Sequence, residues 1–184
     1  MLDAGLLPLR NDRAVLRAMQ LDDVAAFVSG TTDPQVRSYA HLPEPEYTEA
    51  SVTALVQGQI RAGLERGDLA VLTIADPATD AFAGSLVLFG LEEGSVEVGF
   101  WVHPDHRGKG IAGAGVALAV EFARRSGLIR LTARSLPENA ASQRVLDRIG
   151  FIRGEATWNL APSGEEVTLV HHHLDVEPGS LLRR

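Results

Sequence analysis

The chain has 184 residues, 45% hydrophobic and 22% charged, a formal net charge of −7 and no cysteine. That composition excludes intrinsic disorder and a collagen-like chain, and the missing thiols exclude a disulfide framework, a thiolate zinc site and a cysteine nucleophile. An acidic balance argues against non-specific nucleic-acid binding, and no apolar run approaches the roughly 18 residues of a membrane span. The opening M-L-D-A-G-L-L-P-L-R lacks the basic start and apolar core of a secretory signal. The expectation is one cytoplasmic domain over residues 1–184, with a tail at about 175–184.

Residues 13–19 read as a first short strand, after which Asp22 and Asp23 open a helix to about Ser29. Asp33-Pro34 marks a second helix start, with Pro at the first helical position. The stretch from His41 to Tyr47, with two prolines, is a loop. From Thr48, an N-cap candidate, the spacing of Val52, Leu55, Val56, Gln59 and Ile60 predicts a helix to about Arg66.

Leu69–Ala75, Phe82–Phe89 and Val96–Val102 are apolar or alternating runs separated by short polar turns. Connections that short force antiparallel neighbours. A glycine-rich segment leads into a helix at about Gly110–Ser126, ended by Gly127, and Leu128–Ser135 is the next strand. With a helix between them, that strand runs parallel to the one before. Asn139–Ile149 is the last helix; with Asn139 as N-cap and Gly150 at C′, Leu146 and Phe151 occupy the contacting positions of a Schellman ending. Two final strands, about Phe151–Leu160 and Glu165–Leu174, are joined by an A-P-S-G turn. The expected fold is therefore mixed α/β (α+β), one domain with a mostly antiparallel central sheet and one parallel pair.

Chemistry concentrates in residues 95–115, S-V-E-V-G-F-W-V-H-P-D-H-R-G-K-G-I-A-G-A-G. A strand feeds R-G-K-G and a helix begins at once, so glycines can turn successive amides inward at the positive end of a helix dipole. Arg107 and Lys109 add formal charge, and the pattern reads as an anion cradle suited to a pyrophosphate. The plain alternative is a turn ahead of a sheet crossover, in which Gly only eases sterics. A Walker loop fails because Gly110 follows Lys109. Gly108, Gly110 and Gly113 do fit the dinucleotide fingerprint G-x-G-x-x-G, and Arg134 would suit a 2′-phosphate. Against it, H-P-D-H-R intervenes after the strand, and the upstream strands are antiparallel.

The run R107-G-K-G-I-A112 resembles the R/Q-x-x-G-x-G/A signature of the GNAT acetyltransferase superfamily, and its surroundings resemble the RimJ/RimL-like branch. A second block, N139-A-A-S142-Q-R-V-L-D-R-I-G-F151, is similar to N-x-x-S-x-x-V-L-x-x-x-G-F of that branch, and the likeness spans nearly the whole chain. The resemblance implies acetyl-CoA as co-substrate and no metal. Its pyrophosphate would lie on Arg107, Gly108, Lys109, Gly110, Ile111 and Ala112, and its pantetheine arm in a slot where the strand at 96–102 splays from that at 128–135. Backbone of Trp101 and Val102 would bind the pantetheine amides and polarise the thioester carbonyl. Asn139 would touch the cofactor as well as cap its helix.

Many superfamily members carry a Tyr where this chain has Leu146, so Ser142, one turn earlier, becomes the candidate acid toward the departing thiolate. The other reading of Ser142 is a local bond at the third helical position. Glu97 is the candidate general base by the same resemblance, set against the ordinary occurrence of an inert carboxylate on a sheet face. Alternation places Val96, Val98, Phe100 and Val102 on one face, with Glu97 and Trp101 on the other. His171, His172 and His173 lack the acidic or Cys neighbours of a zinc set, and the first and third would share a face.

The resulting expectation is an N-acetyltransferase moving acetyl from acetyl-CoA to a primary amine, on a protein N-terminus or a small molecule, by direct attack. The alternatives are a non-catalytic CoA-binding regulatory module and, further off, an NADP-dependent enzyme. Neither nucleic acid nor membrane is expected as partner, and a homodimer is left open.

Overall fold

The computed structural model describes residues 1–160 and 166–176. Eight strands form one sheet in the order β1-β2-β3-β4-β5-β6-β8-β7. They are β1 (Leu9–Arg10), β2 (Val15–Ala18), β3 (Ala70–Ala75), β4 (Phe82–Glu92), β5 (Ser95–Val102), β6 (Arg130–Ser135), β7 (Ile152–Leu160) and β8 (Glu166–Asp175). The helices are α1 (Val24–Thr31), α2 (Pro34–Tyr39), α3 (Glu49–Leu55), α4 (Arg61–Arg66), α5 (Ile111–Arg125) and α6 (Ala140–Ile149). Every neighbouring strand pair is antiparallel except β5 and β6, which the α5 crossover makes parallel.

The two sheet faces carry separate cores. Val96, Val98, Phe100 and Val102 face α5, whose Val116, Ala119, Phe122 and Ala123 are wholly buried at helical spacing. On the other face, Phe27, Tyr47, Val52, Val56 and Phe82 pack with Trp101 under α1 and α3.

Local signals set most boundaries. Asp33 caps α2 by accepting from the Gln35 and Val36 amides, and Thr48 caps α3. α6 ends as expected: Phe151 N–H reaches Leu146 C=O at 3.0 Å and Gly150 N–H reaches Asp147 C=O at 3.1 Å, both bonds of the Schellman motif.

The differences have physical reasons. Asp22 and Asp23 do not open α1 directly; Leu21–Asp23 form a 3₁₀ turn, and the buried Asp23 carboxylate pairs with Arg17 at 2.7 Å. The helix expected over 48–66 is broken by a π turn at Val56–Ile60. Val52, Val56 and Ile60, four residues apart, all stay buried on one side of this segment. β1 was not anticipated; at two residues it is too short to show a period. The A-P-S-G turn lies outside the described residues, as does the tail from residue 177. Residues 175 and 176 are tied to the sheet: the exposed Asp175 pairs with Arg130 at 2.6 Å, and the amide of the buried Val176 donates to Ile129 C=O. No described helix is long and apolar enough to cross a membrane.

Candidate active site

The site follows from one break in the sheet. β5 and β6 pair only from Ser95/Arg130 to Glu97/Thr132. Beyond that point β5 continues to Val102 on β4, and β6 continues to Ser135 on β8, without pairing with each other. His103 N–H donates to Ala83 C=O at 2.9 Å, so alternation turns the backbone groups of Trp101 and His103 toward β4. The Trp101 carbonyl indeed lies against Gly84. Phe100 and Val102 therefore present their amide and carbonyl groups to the open side, while Trp101 contributes its indole, 5.4 Å from the Phe27 ring.

At the far end of the slot, Gly108 and Gly110 take φ values of 76° and 77°, which brings the chain round into α5. The first bond closing α5 runs from Ala114 N–H to Gly110 C=O, leaving the Ile111, Ala112 and Gly113 amides without helical partners. Apart from chain neighbours and the adjoining backbone of α5, no described atom lies within 4 Å of where a Cβ on Gly108 or Gly113 would stand, so the loop is open on that side. A cavity of about 700 Å³ runs along it, and the Asn139 and Ser142 backbone or side chains form part of its far wall.

The two cations that marked this loop in the sequence are each engaged by a protein partner. Arg107 donates to Asp33 Oδ1 at 2.6 Å, its own amide bonds Pro104 C=O, and Lys109 Nζ donates to Asp105 C=O at 2.8 Å. A cation distant in sequence, Arg13, reaches the glycines. Its Nη1 lies 2.8 Å from where a Cβ on Gly110 would stand, and it lines the slot with Arg107 and Arg148. Asn11 holds this turn in place by accepting from the Arg13 and Ala14 amides and donating to Ala114 C=O. Sequence reading missed Arg13 because nothing local joins the β1–β2 turn to the start of α5. His106 also lines the slot; burial above all, then Lys109 and His103, holds its imidazole below the ordinary value.

A second cavity, about 370 Å³, lies on the Glu97 face of the sheet. Glu97 Oε1 accepts from Arg134 Nε at 2.8 Å, and both side chains are about one-fifth exposed. Arg134 thus sits with Glu97 rather than at the glycine loop, where a 2′-phosphate reading would need it. The two cavities share Tyr39, Ala40, Phe100, Trp101, Asn139 and Ser142. Asn139 is 8% exposed and its Oδ1 accepts from the Ser142 amide, whereas the Ser142 hydroxyl has no hydrogen-bond partner among the described residues.

A family model of the acetyltransferase (GNAT) domain matches residues 13–152. The chain belongs to the GNAT acetyltransferases. The Bacillus subtilis (strain 168) protein called uncharacterized N-acetyltransferase YnaD is 26% identical over 156 residues, covering 84% of this chain and 88% of its own. Mycobacterium smegmatis RimJ, solved in complex with CoA-disulfide, shares the fold with a TM-score of 0.78 at 22% identity, over 91% of this chain and 84% of RimJ. Spermidine N-acetyltransferase from Vibrio cholerae, solved with CoA and spermine, does so with a TM-score of 0.75 at 17% identity, over 90% and 96%.

As a GNAT domain the protein is an acetyl-CoA-dependent N-acetyltransferase, and the slot fits that co-substrate. Unpaired amides at a helix N-terminus and an open glycine face suit a pyrophosphate, and an unzipped strand edge suits an amide-bearing arm. Leu146, where many GNAT members carry Tyr, is buried and offers no proton. Of the histidine run, His172 is buried with Nε2 3.1 Å from Ser135 Oγ, and His171 Nε2 lies 2.8 Å from Thr157 Oγ1. Among the described residues no cluster of three or more His, Cys, Asp or Glu could hold a metal.

Proposed function

We propose that this GNAT enzyme acetylates a primary amine seated in the Glu97 cavity, by direct attack across the wall that cavity shares with the glycine-loop slot. The shared wall carries the reading: Phe100, Trp101, Asn139 and Ser142 border both spaces. When bound, acetyl-CoA supplies an activated acetyl thioester. Gly108 to Ala112 hold its pyrophosphate through backbone amides, with Arg13, Arg107 and Arg148 as nearby cations. Phe100 and Val102 offer the exposed β5 backbone groups to its arm, and an N–H there polarises the thioester carbonyl.

Glu97 takes the proton of the incoming ammonium, directly or through water, because only the neutral amine attacks. Arg134 fixes the carboxylate in place. The Ser142 hydroxyl, unengaged and on the shared wall, gives a proton to the departing thiolate. Without cysteine in the chain, no acyl-cysteine forms.

The test is calorimetric titration with acetyl-CoA, with NADPH as control, followed by thiol release in the presence of amines. The absence of protein thiols leaves the CoA signal without background. Micromolar acetyl-CoA binding with amine-dependent thiol release is the expected result; NADPH binding in its place would overturn the site.

A further inference from the structure

We infer that the acceptor is a small compound with a single amine on an apolar, ring-sized body, and that polyamines are poor acceptors; this rests on the transferase reading above. The observation is the composition of the Glu97 cavity. Five of the chain's ten Phe, Tyr and Trp side chains line it, Phe27, Tyr39, Tyr47, Phe89 and Trp101, and Phe100 borders it from the α5 face. Phe27 and Tyr47 meet edge to face at 5.5 Å, and Phe27 and Trp101 at 5.4 Å, so part of this wall is a fixed aromatic cluster.

The floor is built by strand register. Val71, Val87 and Gly99 lie in one cross-strand row of β3, β4 and β5, and Phe89 lies opposite Glu97 in the next. Gly99 adds no side chain, and a Cβ there would stand 3.2 Å from Val87 Cγ1. The bare Gly99 backbone beside Val87 makes a flat apolar recess next to the carboxylate. A volume of about 370 Å³ accommodates an aromatic ring and a short alkyl arm.

Charge sets the number of amines. Among the described lining residues Glu97 is the only carboxylate, and Arg134 already balances it. One ammonium can approach Glu97 and gain from the facing aromatic rings before it loses its proton. A second ammonium in the same space would be buried beside an arginine with no carboxylate of its own, an unfavourable placement. Glu44 and Glu46 lie on the exposed loop outside this lining, where water screens any pairing.

The experiment uses the full chain saturated with CoA, titrated with 2-phenylethylamine, spermidine and a Ser-Gly-Ser tripeptide, with thiol release from acetyl-CoA measured for each. The expected result is at least 10-fold tighter binding of 2-phenylethylamine than of the other two, with a matching advantage in kcat/KM. Equal or better binding of spermidine or the tripeptide overturns the acceptor class, and so does failure of all three to bind. Tight 2-phenylethylamine binding without thiol release supports the acceptor class and sinks the transferase reading instead. Val87→Glu, with Leu55→Glu on the helical wall as a second variant, adds a carboxylate to the lining and is expected to shift the preference at least 10-fold toward spermidine. An unchanged preference in a folded variant counts against the charge argument.

Discussion

Arg107 and Asp33 form a two-point contact that ties the glycine loop to the start of α2, at 2.6 Å and 3.4 Å, while Asp33 also caps that helix. The C-terminal end of α2 carries Tyr39 into both cavities. The loop proposed for the cofactor and the helix proposed to wall the acceptor are therefore joined through one carboxylate.

Asp33→Ala removes the cap and the contact, and is expected to cost about 1–2 kcal/mol. Asp33→Asn keeps the cap and should cost about half as much. The Arg107 guanidinium is the largest cause holding the Asp33 carboxyl below its ordinary value. Its contribution is accordingly full above the unfolded-state pKa and is lost as pH falls through the folded one. Urea unfolding of the three proteins at neutral and acid pH checks this. Arg107→Ala should also weaken acetyl-CoA binding through the freed loop, and an unaltered affinity would remove the loop from the cofactor site.

Glu97→Gln should lower turnover at neutral pH by about 10²-fold or more, the usual contribution of a general base, with acetyl-CoA affinity kept. Steady-state thiol release beside calorimetry separates the two quantities. Undiminished turnover would remove Glu97 as the base.

Gly113 and Gly115 sit two residues apart in α5 and should respond in opposite directions. A Cβ at Gly115 would stand 2.7 Å from Ile74 Cδ1 and 3.0 Å from its Cγ1, so overpacking opposes the gain in helix propensity. At Gly113 the space is open, and Ala there should add up to about 1 kcal/mol of stability. Because Gly113 lines the slot, the same change should weaken acetyl-CoA binding. Thermal unfolding of both variants, with and without the ligand, would show the split; equal responses would contradict the packing described.

Acid sensitivity should come from two buried groups. Burial, the largest influence on Asp23, would raise its carboxyl, but bonds from Arg17, the Gln20 amide and Thr73 together outweigh it and hold the pKa low. That stability is present above the ordinary carboxylate value and disappears as pH falls through the lowered one. Burial likewise lowers His172, which folds neutral, so its contribution is full above the unfolded imidazole value and declines as pH drops toward the folded one. Asp23→Asn leaves Arg17 without its buried partner and should cost about 3–5 kcal/mol, with a shallower acid limb in the pH dependence of the urea midpoint. A wild-type acid limb retained in that variant would place the sensitivity elsewhere.

The features legible from the residues in order were those closed by short-range chemistry. Asp33 before Pro34, Thr48 before α3, and Asn139 with Gly150 around α6 bond to groups a few residues away, so their spacing carries the geometry. Turn lengths of a few residues dictated antiparallel β3–β4–β5, and an intervening helix dictated the parallel β5–β6 step. The turn of the glycine loop into α5 was legible for the same reason, since glycines and helix start are contiguous.

What only the tertiary structure decided depends on which distant segments become neighbours. Arg107 and Lys109 read as the charges of the cradle, yet one is drawn to Asp33 and the other to a carbonyl, while Arg13 arrives from the β1–β2 turn. Arg134 meets Glu97 because β6 lies beside β5, and the two cavities meet where those strands part beyond Glu97 and Thr132. Local spacing specifies which backbone groups need partners. A side chain several bonds long takes the partner that the assembled sheet brings within reach.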